Sequence, residues 1–376
     1  MVDQPIAFAP PEITDDDVAA VTAVLRSGWI TTGPECDALE AELGAFLGGA
    51  RVVALASCTA ALEAAIAGLH LPPGARVGVP TWTYVATALA VVHQGGQPVL
   101  VDVDPQTLNV SPDALAAATA QGLDAVVVVH FGGVPVAASI FDLCARHGVP
   151  VVEDAAHAFG ASDHRGVLNG RGSVAACFSF YATKNMTSAE GGALVTHDPE
   201  VERFTRAFRL HGLSAGPGGR NGPTSADLVA PGIKGNLPDV LAALARSQLA
   251  RFRATQDRRL DLVRQYRRRL AEIDGVAVVP AVRPEGSSDH LMVVVLPARC
   301  DRQQVAADLR AAGIETSVHF RPLHNYPWMA RHAAVGPGGL PVADGMAGRV
   351  LSLPLHPQLT GSLVDRICDA LAYATR

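Results

Sequence analysis

Four segments end apolar, strand-like runs in residues whose types could do chemistry together. VVALAS leads into Ser57, Cys58 and Thr59 ahead of an Ala-rich helical stretch. The first turn of a helix carries unpaired N–H groups and a positive dipole end, which suit a phosphate; an ordinary Ser/Thr cap reads the same way. VPVVED ends in Glu153 and Asp154, followed by Ala155, Ala156 and His157. A carboxylate there can hold a heterocyclic nitrogen protonated, or it can cap a helix. ACFSFYATKN sets Lys184 just past a run that is apolar almost throughout, with Ser179 two residues before Tyr181 and a T-S-A-E-G-G turn after it. A desolvated lysine is readily neutral and can form a Schiff base; a surface-loop lysine is the alternative. PTWTYVAT supplies Trp82 and Tyr84, which could fill a core or stack on a flat ring. In chain order these are a phosphate cradle, a ring stack, a ring-nitrogen partner and an amine. That is the set of parts a pyridoxal 5′-phosphate (PLP) site requires.

The elements that must position these parts are visible as a pattern. RVVALAS, RVGVPT, PVLVDVD, AVVVVHF, VPVVED, ACFSFY and GALVT read as strands. Runs such as AVVVVHF are apolar on both faces, as in a parallel sheet covered on both sides. Helical stretches such as TAALEAAIAGLHL and PDALAAATA alternate with them, which predicts an α/β fold with a mostly parallel sheet. Ligands then sit at the carboxyl ends of the strands. Residues 211–223 form a Gly-rich loop that follows a helical segment, so they are not a dinucleotide fingerprint. A long charged helix is predicted over roughly Leu237 to Ile273, its Arg-rich stretch a solvated face. VAVVP, HLMVVVLP and TSVHF then read as strands of a smaller α/β domain, with DRQQVAADLRAAG and TGSLVDRICDALAYA as its helices. The predicted division is a large cofactor-binding domain over 1–250 and a small C-terminal domain over 251–376.

Composition narrows the function classes. The 376 residues exceed what one core usually serves, and 49% of them are hydrophobic. Thirty basic and 36 acidic residues give a net charge of −6, with no block of like charge to suggest nucleic acid or an anionic membrane. No apolar run is long enough to span a bilayer, and the first residues do not read as a secretory signal. The six cysteines form no C-x-x-C pair, so neither zinc nor a disulfide framework is expected and a reduced cytoplasm fits. Apart from Cys58, each cysteine reads as a small buried apolar residue.

Nearly the whole chain resembles the DegT/DnrJ/EryC1/StrS sugar aminotransferases, which are fold-type I PLP enzymes. The stretches that carry this are SGWITTGPECDALE, ASCTAALEAA, PTWTYVATALAVVHQGGQPVLVDVD, VVEDAAHAFGA, FSFYATKNMTSAEGGALVT, RLHG, PGIKGNLPDVLAAL and SVHFRPLH. The resemblance implies that Lys184 forms the Schiff base and moves the proton, that Asp154 pairs with the pyridine nitrogen, and that His157 stands beside the phenolic oxygen. It implies that Tyr84 stacks on the ring with Trp82 as its neighbour, and that Cys58, Thr59 and Ser179 contact the phosphate. Lys234 and Asn236 would reach into a partner subunit's site, which implies a homodimer with shared active sites. Trp29, His319, Arg321 and His324 are the implied substrate residues.

Within the family, VHFGG, PGIKGNLPDV and SVHFRPLH are similar to the branch that aminates carbon 4 of a nucleotide-linked keto sugar. PGIKGN departs from the more usual PGYKYN at Ile233 and Gly235. The implied reaction uses L-glutamate, passes through pyridoxamine 5′-phosphate and converts dTDP-4-keto-6-deoxyglucose to the 4-amino sugar. Arg321 would offer a bidentate fork to a diphosphate and His319 a hydrogen bond to the sugar or diphosphate. Amination at carbon 3, a PLP-dependent sugar dehydrase and a non-catalytic PLP-binding regulator are the alternatives.

Overall fold

In the computed structural model, which describes residues 5–214 and 226–376, the apolar runs fold into strands β1 (Arg51–Leu55), β2 (Arg76–Pro80), β3 (Gln97–Val101), β4 (Ala125–Val129) and β5 (Val151–Asp154). A short hairpin follows, β6 (Ser162–Asp163) and β7 (Gly166–Val167), and then β8 (Ala175–Ser179) and β9 (Gly192–Thr196). Beyond them lie β10 (Ala277–Val279), β11 (Met292–Val295), β12 (Ala334–Val335) and β13 (Val350–Leu353). The large sheet has eight strands in the order β1-β9-β8-β5-β4-β2-β3-β12. Its strands are parallel except β9, which runs antiparallel to both neighbours. The reason is local. Residues 180–191 between β8 and β9 contain no crossover helix, and without one the chain can only turn back on itself.

Helices α1 (Asp15–Ser27), α2 (Pro34–Phe46), α3 (Cys58–Ala67), α4 (Val85–His93), α5 (Pro112–Ala120), α6 (Ala138–His147) and α7 (Pro199–Phe208) belong to the part of the chain that builds this sheet. Helix α8 (Asp239–Leu270) leads on to α9 (Arg302–Ala311), α10 (Met329–His332), α11 (Pro341–Met346) and α12 (Gly361–Ala374). Strands β10, β11 and β13 form a separate antiparallel sheet, and its inner residues Met292, Val294, Leu351 and Leu353 share a core with Tyr266, Leu309 and Ile367 of the helices. A boundary after residue 250 falls inside α8, and β12 returns to pair with β3 at the edge of the large sheet. Most of the Gly-rich run 211–223 lies outside the described residues.

Two expectations fail. TSVHF is not a strand. Ser317 makes one bridge with Ser352, and the chain then turns so that His319 and Phe320 line a cavity, with Arg321-Pro322 following. A proline cannot donate to a ladder, so pairing stops there. The Arg-rich stretch of α8 is not simply a solvated face either. Arg259 is buried and donates to the Leu355 carbonyl at 2.9 Å, and burial lowers its guanidinium to about 10. Arg258 and Arg267 likewise bond loop carbonyls at Leu359 and Pro280, and so fasten the small sheet's connections to the helix.

Candidate active site

Strand ends deliver the chemistry. A cavity of about 460 Å³ opens at the carboxyl ends of the large sheet's strands, lined among others by Ser57, Cys58, Thr59, Tyr84, Asp154, His157, Ser179 and Lys184. An open groove of about 520 Å³ between α1, α2 and α8 is lined largely by alanines and by the Arg246–Glu35–Glu42 cluster, whose charges already pair with one another.

Ser57 caps α3 by accepting from the Ala60 N–H at 3.1 Å, while Cys58 and Thr59 form the helix's first turn at the cavity wall. The cap and a helix start that faces the cavity therefore coexist. Gly192 makes this possible: a Cβ there would lie 2.4 Å from the Cys58 amide nitrogen, so a side chain would push β9 off the helix start. The Cys58 thiol donates to the Cys177 carbonyl at 3.3 Å, and burial raises its pKa well above the ordinary value. All six cysteines are free thiols. Ser179 is buried at the end of β8, and its hydroxyl accepts from the Tyr181 N–H at 3.4 Å.

Asp154 ends β5. Its Oδ2 accepts from the Thr87 hydroxyl at 2.7 Å and its Oδ1 from the Ala156 N–H at 3.1 Å. Burial raises its pKa, and these neutral donors offset that only in part. Lys184 lies beyond β8, its backbone N–H bonded to the Tyr181 carbonyl at 2.9 Å. Burial lowers its amine to about 8, against the opposing pull of Cys58 and Asp154. His157 accepts the Gly132 N–H on Nδ1 at 3.3 Å, so a neutral ring carries its proton on Nε2. Burial holds that ring well below the ordinary imidazole range, and so keeps it neutral.

The two aromatics of PTWTYVAT part company. Tyr84 is exposed and faces the cavity beside Phe320, at 5.7 Å between ring centroids. Trp82 is fully buried in the core and donates from Nε1 to the His319 carbonyl at 3.1 Å. The chain leaves β2 at Pro80, so strand alternation no longer governs which way they point.

Only one of the four implied substrate residues lines the cavity. His319 does, bonded through Nδ1 to the Ser352 hydroxyl at 3.0 Å and lowered to about 4 by burial. Arg321 lies at the surface, its guanidinium 4.7 Å over the Tyr326 ring and bonded to the Asn325 carbonyl. His324 uses both ring nitrogens elsewhere, at 2.7 Å to Thr81 and 2.8 Å to Asp344. Trp29 sits apart with Thr32, whose hydroxyl is bonded by Asn236, and Asn236 in turn accepts from Lys234. None of Trp29, Lys234 and Asn236 lines this chain's cavity. Sequence reasoning missed His290, Phe320 and Thr87. His290 and Phe320 arrive from the far end of the chain, and no spacing signal announces them.

The arrangement fits PLP. Asp154 is a buried carboxylate surrounded by neutral donors, which a protonated ring nitrogen would complete. The α3 start and the buried Ser179 hydroxyl suit a phosphate, and a cavity of about 460 Å³ is of ordinary ligand size. Among the described residues no group of three or more His, Cys, Asp or Glu could hold a metal ion. A model of the DegT/DnrJ/EryC1/StrS aminotransferase family matches residues 11–372. The chain belongs to this family.

Solved structures agree. Spr1654 of Streptococcus pneumoniae, known in apo, PLP and PMP forms, superposes with a TM-score of 0.89 at 29% identity over 99% of this chain and 98% of that one. The aminotransferase TlmJ of Streptoalloteichus hindustanus gives 0.89 at 31% identity over 98% of each chain. S. venezuelae DesV, solved with a ketimine intermediate, gives 0.85 at 34% identity over 96% of this chain and 94% of that one. This DegT/DnrJ/EryC1/StrS member is a PLP-dependent sugar aminotransferase of fold type I. No described helix is long and apolar enough to cross a membrane.

Proposed function

We propose that this aminotransferase converts a nucleotide-linked 4-keto-6-deoxy sugar, dTDP-4-keto-6-deoxyglucose, to its 4-amino sugar with L-glutamate as donor. The observation that carries the reading is the wall formed by the SVHFRPLH loop, which sets His319 and Phe320 into the cavity that Lys184 and Asp154 also line. When bound, the cofactor supplies an aldehyde that takes up an amine and a protonated ring that draws electrons from the bond being broken. Lys184 supplies the amine that holds the cofactor, and its Nζ then carries the proton in each half-reaction. Asp154, oriented by Thr87 and Ala156, keeps the ring nitrogen protonated. The α3 start and Ser179 anchor the phosphate, with Cys58 and Thr59 contributing backbone N–H groups. Tyr84 would stack on the cofactor, and His157, with its proton on Nε2, would offer a donor to it. Phe320 and His319 close the sugar side and exclude water.

The active unit in this reading is a homodimer in the cytoplasm. Trp29, Lys234 and Asn236 form a surface cluster outside their own cavity, and residues placed so can complete a second copy's site. Arg321, exposed and one residue beyond Phe320, would engage the diphosphate.

A panel of dTDP- and UDP-linked 4-keto and 3-keto sugars, assayed with glutamate, tests the assignment. Conversion of dTDP-4-keto-6-deoxyglucose with poor turnover of the 3-keto isomers is the expected result. Efficient turnover of a 3-keto sugar with none of the 4-keto sugar would overturn the regiochemistry.

A further inference from the structure

The residue next to Lys184 has a side chain with every polar atom engaged. Asn185 donates from Nδ2 to the Ser288 carbonyl at 2.8 Å and to Gln256 Oε1 at 3.1 Å. Its Oδ1 lies 2.9 Å from His290 Nδ1. Gln256, on α8, also donates to the Ser288 carbonyl, at 2.7 Å. Reversing the Asn185 amide would set its oxygen against that carbonyl, so the orientation is determined. Asn185 Oδ1 can only accept, and His290 must therefore donate from Nδ1. A neutral His290 then keeps an unshared pair on Nε2. Its ring lines the cavity and sits 4.5 Å from the His157 ring between centroids.

We propose that Asn185 and His290 are positioning residues for Lys184. Asn185 ties the loop that carries the lysine to α8 and to the Ser288–His290 segment ahead of β11, and His290, set by Asn185, presents Nε2 as a fixed acceptor at the cavity wall. The tie spans |i−j| separations of 71 to 105 residues. One side chain thus couples the lysine's loop to elements that the sequence places far away. The loop's other hydrogen bonds, such as Lys184 to Tyr181 and Ser188 to Phe180, stay within it, while Phe180 and Met186 anchor it in the core. Loss of the amide would leave the lysine attached but imprecisely placed, and misplacement of about 1 Å can cost roughly a hundredfold in rate. The proposal rests on Lys184 being the cofactor lysine.

Two measurements on Asn185→Ala test it. In the cofactor-free protein, hydrogen–deuterium exchange of the segment spanning Lys184 should rise, while β8 and α3 stay protected. In the holoenzyme, the single-turnover rate with glutamate should fall about tenfold or more, with the KM for glutamate changed by less than about threefold. His290→Asn, whose amide can still donate where Nδ1 did, should recover most of the exchange protection that His290→Phe loses. Unchanged exchange and a near-normal single-turnover rate in a folded Asn185→Ala protein would overturn the proposal. So would equal exchange in the two His290 variants. Borohydride reduction of the wild-type holoenzyme with peptide mapping keeps the premise separate. Cofactor fixed on Lys184 upholds it, and cofactor fixed elsewhere removes the basis of the proposal whatever the variants do.

Discussion

Glu153 and Asp154 are adjacent carboxylates at the end of β5, both buried, and they meet opposite surroundings. Glu153 accepts from His130 Nε2 at 2.9 Å, from Arg165 at 3.2 Å and from the Ser173 hydroxyl at 2.6 Å. Burial pushes its pKa up, but these partners outweigh burial and hold it below the ordinary carboxylate value. Val136 N–H donates to His130 Nδ1, which fixes the proton on Nε2 and aims it at Glu153. Arg165 is itself held by Asp163 and lies 3.7 Å over the Phe141 ring. Asp154 points to the other face, has only neutral hydrogen-bond donors, and has a raised pKa. A strand turns successive side chains to opposite faces, so one step of sequence separates an anion bonded to charged partners from one with no hydrogen-bonded cation. The second condition suits the proposed binding role, because a low-dielectric site would make a bound cation worth more there.

The largest effect expected is at the amine that faces Asp154. Lys184→Ala should fold, bind no cofactor covalently and lose at least about a thousandfold in transamination, roughly 4 kcal/mol of barrier. Full turnover by the purified variant would remove Lys184 from the reaction.

Asp154→Asn tests the binding side of the comparison. The amide cannot hold the ring nitrogen protonated, and a charge-assisted bond is worth roughly 1.5–3 kcal/mol. The rate should drop at least about a hundredfold, or about 2.7 kcal/mol. The cofactor-free protein should move the other way. Asp154 has a raised folded-state pKa, so its favourable contribution is present in acid and lost as pH rises through that pKa. At neutral pH the cofactor-free variant should therefore melt above the wild type, and the gain should vanish in acid. A near-normal rate with cofactor bound would show Asp154 to be only a cap.

Glu153→Gln should reverse the pattern. It leaves Arg165 with Asp163 alone and should cost roughly 2–3 kcal/mol of stability. The folded holoenzyme should keep its rate within about threefold, or about 0.7 kcal/mol. Glu153 has a depressed pKa, so its stabilisation is present above the ordinary carboxylate value and lost as pH falls through the folded one. The melting difference between variant and wild type should accordingly shrink in acid. Equal melting temperatures at neutral pH would refute the structural role.

Much of this was legible in the sequence, and for a physical reason. Past their first residues the large sheet's strands β1 to β5, β8 and β9 are buried, so they read as apolar runs, and chemistry placed at their ends can be located by counting. Asp154, Ser179 and Lys184 were picked out that way, and all three line one cavity. The residue pattern alone did not separate Trp82 from Tyr84, because they lie beyond β2, where alternation no longer applies; the resemblance to the family did. Arg321 and His324 were read as substrate residues from the loop's resemblance, and neither lines the cavity: Arg321 stacks on Tyr326 and His324 bridges Thr81 to Asp344. The failed strand at TSVHF has the same origin as the missed His290. Both belong to segments shaped by contacts with the other end of the chain, and a local pattern carries no record of those.

The smallest effect expected sharpens the comparison most, because it uses Lys184 as a reporter of which carboxylate faces it. Burial lowers the lysine to about 8, and the Asp154 charge opposes that lowering; Glu153 exerts no such influence. Cofactor capture requires the neutral amine. In the cofactor-free protein its rate should climb about tenfold per pH unit in acid and level off above a midpoint near 8, as one titrating group demands. Asp154→Asn removes a charge that favours the ammonium form, so the midpoint should move down. Glu153→Gln should leave it in place, since that charge is turned away from the amine and spent on His130 and Arg165. Stopped-flow absorbance of cofactor uptake across this range, on all three proteins, gives the three midpoints directly. A wild-type midpoint near the free-lysine value of 10.5 would mean an exposed amine. A shift in the Glu153 variant as large as that in the Asp154 variant would mean that the two faces of β5 are not electrically distinct.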